Sequence, residues 1–341
     1  MKKIIVLLLL VFHITFLWAG PAEVQSGIAA IHAGQYDEAL RLLQPSAEAG
    51  DPIAQVNLGV MTERGWGIAQ DSSAALKWYE QAASQGLAIA QSNLGTMYRD
   101  GKGTVKDLPQ ARRWFELAAE QGHLAGIYNL GVMNRDGQGG PVNYSEALRL
   151  FQLASEQGDV EATVNLGALY VQGTGVPKDA TKALQYFTAA AQQGSAISQG
   201  NLGMMYLNGD GVKRDAVTGA KWIKMSAEQG NPTARGILGS MYYRGDGVPK
   251  NLKEAFKWNR LAAGQGQLTA TYNLGIAYYR GEGVTKDVLH SLMWLKIAAD
   301  AGHPKALEAE FRFRNNVSSD QLLRIDQMVW VCRGSNFEKC D

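Results

Sequence analysis

The stretch that decides the fold is "NLGVMTERGWG", residues 57–67. It returns as "NLGTMYRDGKG" at 93–103 and as "NLGALYVQGTG" at 165–175. Its Gly-x-Gly ending looks like the start of a phosphate-cradling loop, so the glycines either mark a ligand site or punctuate a repeated scaffold. Leu-Gly recurs at 58, 94, 130, 166, 202, 238 and 274, always 36 residues apart. Gly-x-Gly recurs at 65, 101, 137, 173, 209, 245 and 281, and a lone glycine at 50, 86, 122, 158, 194, 230, 266 and 302. Residues 51–302 are therefore seven copies with no insertion or deletion: 51–86, 87–122, 123–158, 159–194, 195–230, 231–266 and 267–302. A fixed period of this length marks a repeat architecture.

Each copy reads as two helices. In the copy at 87–122, Ala90, Leu94 and Met97 fall at i, i+4 and i+7, one stripe of a first helix. The glycine pair breaks it. A good N-cap residue opens the second helix in every copy: Asp71, Asp107, Asn143, Asp179, Asp215, Asn251 and Asp287. The second helix carries a small residue (Ala75, Ala111, Ala147, Ala183, Gly219, Ala255, Ser291) and a bulky one three positions on (Trp78, Trp114, Leu150, Tyr186, Trp222, Trp258, Trp294). Gly86 and its equivalents stop this helix at C′. Asp51-Pro52 and Asn231-Pro232 restart the next as N-cap and N1. One such pair cannot bury its apolar faces alone, but stacked pairs can, so the fold class is an all-α solenoid. Residues 23–50 read as an N-terminal capping pair, with Ala39, Leu42, Ala47 and Gly50 in register with later second helices. Residues 303–341 read as C-terminal capping helices: His303–Arg314 as an eighth first helix, then a last helix capped by Ser318 or Ser319 and running to about Val331.

The flanks speak to location. Lys2 and Lys3 precede an apolar run from Ile4 to Leu17, and small Ala19, Gly20 and Ala22 follow. Residues 1–22 are thus expected to be a secretory signal peptide, cleaved after Ala19 or Ala22, with an uncleaved anchor as the alternative. No cysteine follows the run, so no lipid anchor is expected. No later stretch is long and apolar enough to span a bilayer. The two cysteines, Cys332 and Cys340, sit in the last ten residues; in an exported chain they are expected to close a small disulfide loop, the alternative being two free thiols. Lys plus Arg number 33 and Asp plus Glu 32, a balance that gives no field to attract nucleic acid or an anionic membrane.

In one copy Ala90, Leu94, Gly95, Tyr98, Gly101, Gly103, Val105, Asp107, Ala111, Trp114, Ala118, Ala119 and Gly122 follow the pattern of the Sel1-like repeats, relatives of the tetratricopeptide repeats. The resemblance covers about three quarters of the chain. It implies a right-handed solenoid that binds proteins or peptides; bacterial members are often exported and connected to envelope signalling, cell-wall biology or host contact. A monomer without cofactor is expected. A similar subgroup linked to penicillin binding carries a cysteine pair in each copy; a cell-wall, penicillin-binding or β-lactamase-like enzyme of that type is the alternative function, and the absence of cysteines from these repeats counts against it.

Other motifs point back to the scaffold. A P-loop needs a strand before the glycines and Gly-Lys-Ser/Thr opening the next helix; here a helix precedes and a carboxylate or amide follows. A dinucleotide fingerprint lacks its strand and third glycine. In "RDGKGTVKD", 99–107, Lys102 and Lys106 occupy positions a calcium loop needs for ligands. Arg244-Gly245-Asp246 spells an integrin-binding triplet, yet Gly245 is the helix-ending glycine of its copy. No His-x-x-x-His zinc face, Gly-x-Ser-x-Gly elbow or Ser-x-x-Lys occurs, so neither enzymatic activity nor a metal site is expected. His123 and His303 share a column at a helix start, where capping is expected. The column Asn57, Asn93, Asn129, Asn165, Asn201 and Asn273 could hold a peptide backbone or bond between copies; its uniformity points to architecture.

Uniform columns build the rod, which leaves the varied ones free to choose a partner. Val56, Val60 and Glu63 share a first-helix face. By the tetratricopeptide resemblance, first helices line the concave surface. The same columns place Arg99, Tyr128 and Arg135 in copies two and three, and Met204, Leu207, Tyr243, Tyr272, Ile276 and Tyr279 in copies five to seven. An extended polypeptide is expected to lie there, with acidic groups at Arg99 and Arg135 and with Tyr243, Tyr272 and Tyr279 as anchors, residue types that dominate hot spots.

Overall fold

The computed structural model describes residues 21–315, 317–338 and 340. Residues 1–20 of the expected signal peptide lie outside them. The described chain holds eighteen helices. The first two are α1 (Ala22–His32) and α2 (Tyr36–Glu48). Seven pairs follow: α3 (Pro52–Arg64) with α4 (Ser72–Ser84), α5 (Ala88–Asp100) with α6 (Leu108–Glu120), α7 (Leu124–Asp136) with α8 (Tyr144–Glu156), and α9 (Val160–Gln172) with α10 (Ala180–Gln192). The last three are α11 (Ala196–Asn208) with α12 (Ala216–Glu228), α13 (Pro232–Arg244) with α14 (Leu252–Ala263), and α15 (Leu268–Arg280) with α16 (Val288–Asp300). α17 (Ala306–Arg314) and α18 (Ser319–Gly334) close the chain. The chain is an all-α solenoid of antiparallel helix pairs. It divides into two compact units, one up to Ala162 and one from Thr163 onward.

The boundaries follow from local chemistry. The side chain at 71, 107, 143, 179, 215, 251 and 287 accepts a backbone N–H of the first turn in all seven copies, for example Asp107 Oδ1 from Gln110 N at 2.9 Å. The backbone N–H of the same residue reaches back nine positions into the first helix, as Asp107 N to Tyr98 O at 2.8 Å, so each pair is latched at its loop. The first glycine of each pair takes a left-handed conformation, φ 69° at Gly101, which only glycine adopts without strain. The second serves a different end. A Cβ on Gly103 would stand 2.2 Å from Ser72 O, so this glycine lets the loop of one copy rest on the start of the previous copy's second helix. Gly139 on Leu108, Gly211 on Ala180, Gly247 on Ala216 and Gly283 on Leu252 repeat that contact.

Between the helices of a pair, the glycine of Leu-Gly meets the residue twenty positions later. A Cβ on Gly59, Gly95, Gly131 or Gly167 would come within 2.6–2.8 Å of the ring of Tyr79, Phe115, Phe151 or Phe187. The filling residue is thus one position beyond the bulky Trp/Tyr column singled out in the sequence. Small Ala75 and Ala111 are fully buried, as expected of close helix approach. A polar ladder runs at the far end of the second helices: Gln85 Nε2 donates to Gly50 O at 3.0 Å and Gln121 Nε2 to Gly86 O at 2.9 Å, each also reaching a glutamine (Gln55, Gln91) at the start of a first helix.

At the C-terminus the helix expected from His303 begins at Ala306, because His303 Nδ1 accepts Lys305 N and a turn intervenes. Ser318 caps the last helix in a reciprocal capping box with Gln321, and that helix runs to Gly334, past the expected end near Val331. Cys332 and Cys340 are joined in a disulfide, both buried with Ile325, Val329 and Trp294 in the terminal apolar cluster.

Candidate partner-binding surface

The varied first-helix columns do not form one open face. Val56 and Ser92 are core residues, 4% and 3% exposed, and Gly236 is buried too. In the first unit, Arg99 Nε and Nη2 donate to Asp100, and its Nη1 donates to Asn129 Oδ1 of the next copy at 2.7 Å. The Arg99 guanidinium holds the Asp100 carboxyl below the usual carboxylate range. Arg135 is likewise forked onto Asp136, at 2.6 and 2.8 Å. Tyr128 lies 6.0 Å from the ring of Phe151. These two arginines are therefore already paired with carboxylates. Asn57 and Asn129 donate to the carbonyl four residues back in their own helices, an architectural bond.

Both units carry open volume: the first has a cavity of about 490 Å³ lined by Arg112, Glu116, Asn134 and Arg149, and the second has three that reach the residues singled out in the sequence. Tyr243, Tyr272 and Ile276 line one cavity of about 340 Å³ together with Ser240, Asn259 and Arg280. Met204 and Leu207 line a second of about 310 Å³, which shares Ser240 and Arg244 with the first. A third, of about 480 Å³, lies against Tyr170, Val171 and Phe187 and shares Met204 with the second. Sharing these wall residues, the three cavities follow one another as a row, or trough, along α9, α11, α13 and α15. Five of the residues singled out in the sequence thus come together here. Tyr279 does not line the trough: its ring lies flat on Phe313 of α17, centroids 3.5 Å apart. Tyr272 stacks on His303 at 4.4 Å, which fixes its ring in the wall. Tyr243 is the exposed one, 38% accessible, with Arg280 Nη1 donating to its hydroxyl at 3.2 Å.

Asn259, Arg280 and Arg244 were missed by sequence reasoning. Asn259 had a legible signal, since its column reads Tyr79, Phe115, Phe151, Phe187, Ile223, Asn259, Leu295 and only this copy is polar. The Arg244-Gly245-Asp246 triplet is occupied by scaffold work: Gly245 is the left-handed end of α13 and Asp246 accepts from Arg214 at 3.3 Å. Burial lowers the pKa of both His123 and His303, and each caps a helix or turn through Nδ1. Among the described residues no group of His, Cys, Asp and Glu is placed to hold a metal ion.

The profile of the Sel1 repeat matches residues 33–51, 52–87, 88–123, 124–159, 160–195, 196–231, 235–267 and 268–303. The chain belongs to the Sel1 repeat family. It is similar to a Sel1 repeat protein of Oxalobacter formigenes, at 34% identity over 71% of this chain and 97% of that one, TM-score 0.67. It shares its fold with c5321 of uropathogenic Escherichia coli, a protective antigen, at 24% identity over 93% of this chain and 91% of that one, TM-score 0.57. No curated protein matches the chain. The Sel1 array is a scaffold for protein–protein contact. No described helix is long and apolar enough to cross a membrane.

Proposed function

We propose that this Sel1 protein is exported to the periplasm or beyond and holds an extended polypeptide in the trough of its second unit. The observation that carries the reading is the row of three neighbouring cavities that share Met204, Ser240 and Arg244, walled by apolar and aromatic side chains with polar groups between them. That mixture is what a peptide needs: apolar pockets for alternate side chains and polar groups for its backbone. Met204, Leu207, Tyr243, Tyr272 and Ile276 are the contact residues; Tyr279 is stacked on Phe313 and is not one of them. Arg99, Tyr128 and Arg135 offer a polar surface in the first unit, where an acidic partner segment would exchange with Asp100 and Asp136. The positively charged, apolar N-terminus and the disulfide between the chain's two cysteines support an oxidising compartment.

The test is crosslinking in the native cell followed by mass spectrometry, comparing wild type with a Met204→Ala, Tyr243→Ala double variant of unchanged helicity. A polypeptide recovered with wild type and depleted about tenfold with the variant, a loss of the size hot-spot truncation gives, is expected. Equal recovery refutes the site. Cell fractionation with the protein in the cytoplasm refutes export.

A further inference from the structure

The last two residues of the first helix change character along the repeat. In copies one to three they are Glu63-Arg64, Arg99-Asp100 and Arg135-Asp136, one acid and one base each. Those arginines are engaged: Arg64 lies over the Trp66 ring at 5.0 Å, and Arg99 and Arg135 are forked onto Asp100 and Asp136. Copies four and five carry the uncharged pairs Val171-Gln172 and Leu207-Asn208, and copies six and seven carry Tyr243-Arg244 and Tyr279-Arg280. There an aromatic ring has replaced the balancing carboxylate. Arg244 is exposed and lines both the 340 Å³ and the 310 Å³ cavity. The charged residues of those two linings are Arg244, Asp246, Arg280 and Glu282. Asp246 accepts from Arg214 at 3.3 Å, and Glu282 stands 3.9 Å from Arg280 Nη1. Among the described residues no carboxylate pairs with Arg244. A cation at a helix C-terminus is favourable in itself, but that does not call for a guanidinium in the wall shared by two cavities.

We propose that Arg244 is the carboxylate receptor of the trough, so that the polypeptide held there carries an acidic group beside an apolar run. The apolar run would lie on Met204 and Leu207, which line the cavity that Arg244 shares. The carboxylate would accept two parallel N–H bonds from the guanidinium, the strong form of this pair. The partner then supplies in trans what Asp100 and Asp136 supply to Arg99 and Arg135 within the chain. Arg280 Nη1 donates to the Tyr243 hydroxyl at 3.2 Å, which leaves that hydroxyl's own proton to donate to the same carboxylate. A basic segment would meet an unneutralised cation here, and charge complementarity of this kind sets the choice of partner more than raw affinity. An Asp or Glu side chain and a C-terminal carboxylate present the same two oxygens.

The proposal rests on the polypeptide-binding reading for the apolar run alone. Its probes are labelled peptides that share the run Leu-Phe-Leu-Phe: one ending in Glu-Glu amide, one in Gln-Gln amide and one in Gln-Gln with a free carboxylate. Fluorescence anisotropy follows their binding to the full chain. A carboxylate-bearing peptide is expected to bind about tenfold more tightly than the Gln-Gln amide, with an advantage that shrinks at high salt. Tight binding of the Glu-Glu amide assigns the group to a side chain, and tight binding of the free-carboxylate peptide alone assigns it to a chain end. Arg244→Gln should erase the advantage, and Arg64→Gln, in the same column of the first copy, should leave it. The proposal is overturned if neither carboxylate peptide binds more tightly than the Gln-Gln amide, if neither binds saturably at millimolar concentration, or if the advantage survives Arg244→Gln. Equal binding of all three peptides, lost in Met204→Ala, would remove the carboxylate receptor and leave the trough. A carboxylate preference untouched by Met204→Ala would keep Arg244 and count against the trough.

Discussion

Gly103→Ala and Gly122→Ala form a matched pair. Both glycines lie in the first unit with left-handed backbones, φ 68° and 76°. Alanine costs roughly 1–2 kcal/mol in that conformation at either site, and its effect on the unfolded chain is the same at both and cancels. The surroundings differ. Nothing lies within 4 Å of a Cβ at Gly122, whereas at Gly103 it would stand 2.2 Å from Ser72 O and 2.4 Å from Ser72 C. Those are backbone atoms at the start of a helix, and they cannot swing aside as a side chain can. Overpacking of this kind costs typically ~1–3 kcal/mol. Gly122→Ala should therefore lose about 1–2 kcal/mol and Gly103→Ala about 2–5 kcal/mol. Urea unfolding of the two variants and wild type, read on the transition of the first unit, measures the difference. Equal losses, within about 0.5 kcal/mol, would refute the reasoning that the second glycine exists for contact between copies.

Further outcomes follow from the same geometry. Gln121→Ala removes an exposed bond to Gly86 O and a part-buried one to Gln91, and urea unfolding should show a loss of about 1 kcal/mol. Breaking the Cys332–Cys340 bridge by Cys340→Ser releases a loop of sequence separation 8, which the loop-entropy relation puts at about 2.5 kcal/mol, and limited proteolysis should then trim α18 first. Burial disfavours the protonated form of His123 and His303, so the unfolded chain binds more protons as pH falls. Their contribution is full above about pH 6.5 and is lost as pH falls toward the lower folded values. The unfolding temperature should drop between about pH 7.5 and 5.5, and His303→Asn, which keeps a capping side chain, should flatten that slope.

The fold was legible because the period is unbroken: a column of seven N-cap residues and seven left-handed glycines needs no tertiary information to read. What lay beyond the sequence were the contacts made across copies. Gly103 could be read as a bend, but its role against Ser72 depends on where the previous copy sits. The glutamine ladder was hidden for the same reason, since Gln121 meets Gly86 thirty-five residues away. Arg99 and Arg135 read as free cations and are forked onto Asp100 and Asp136, a pairing set by rotamer rather than by helix face. Tyr279 read as an anchor and is covered by Phe313 of a capping helix that breaks the repeat. Asn259 sat in plain view as the polar member of an apolar column, but its place in a cavity wall, packed against Gly239, depends on where the two helices of the pair meet.

The central claim is that a polypeptide lies in the trough of the second unit. A photo-crosslinking amino acid placed at Tyr243, in the cavity mouth, and separately at Val217, 55% exposed on α12 and outside the trough, tests it most directly. Irradiation in the native cell should yield a discrete polypeptide adduct at 243 and none at 217. Adducts of equal intensity at both positions, or none at 243, would contradict the account.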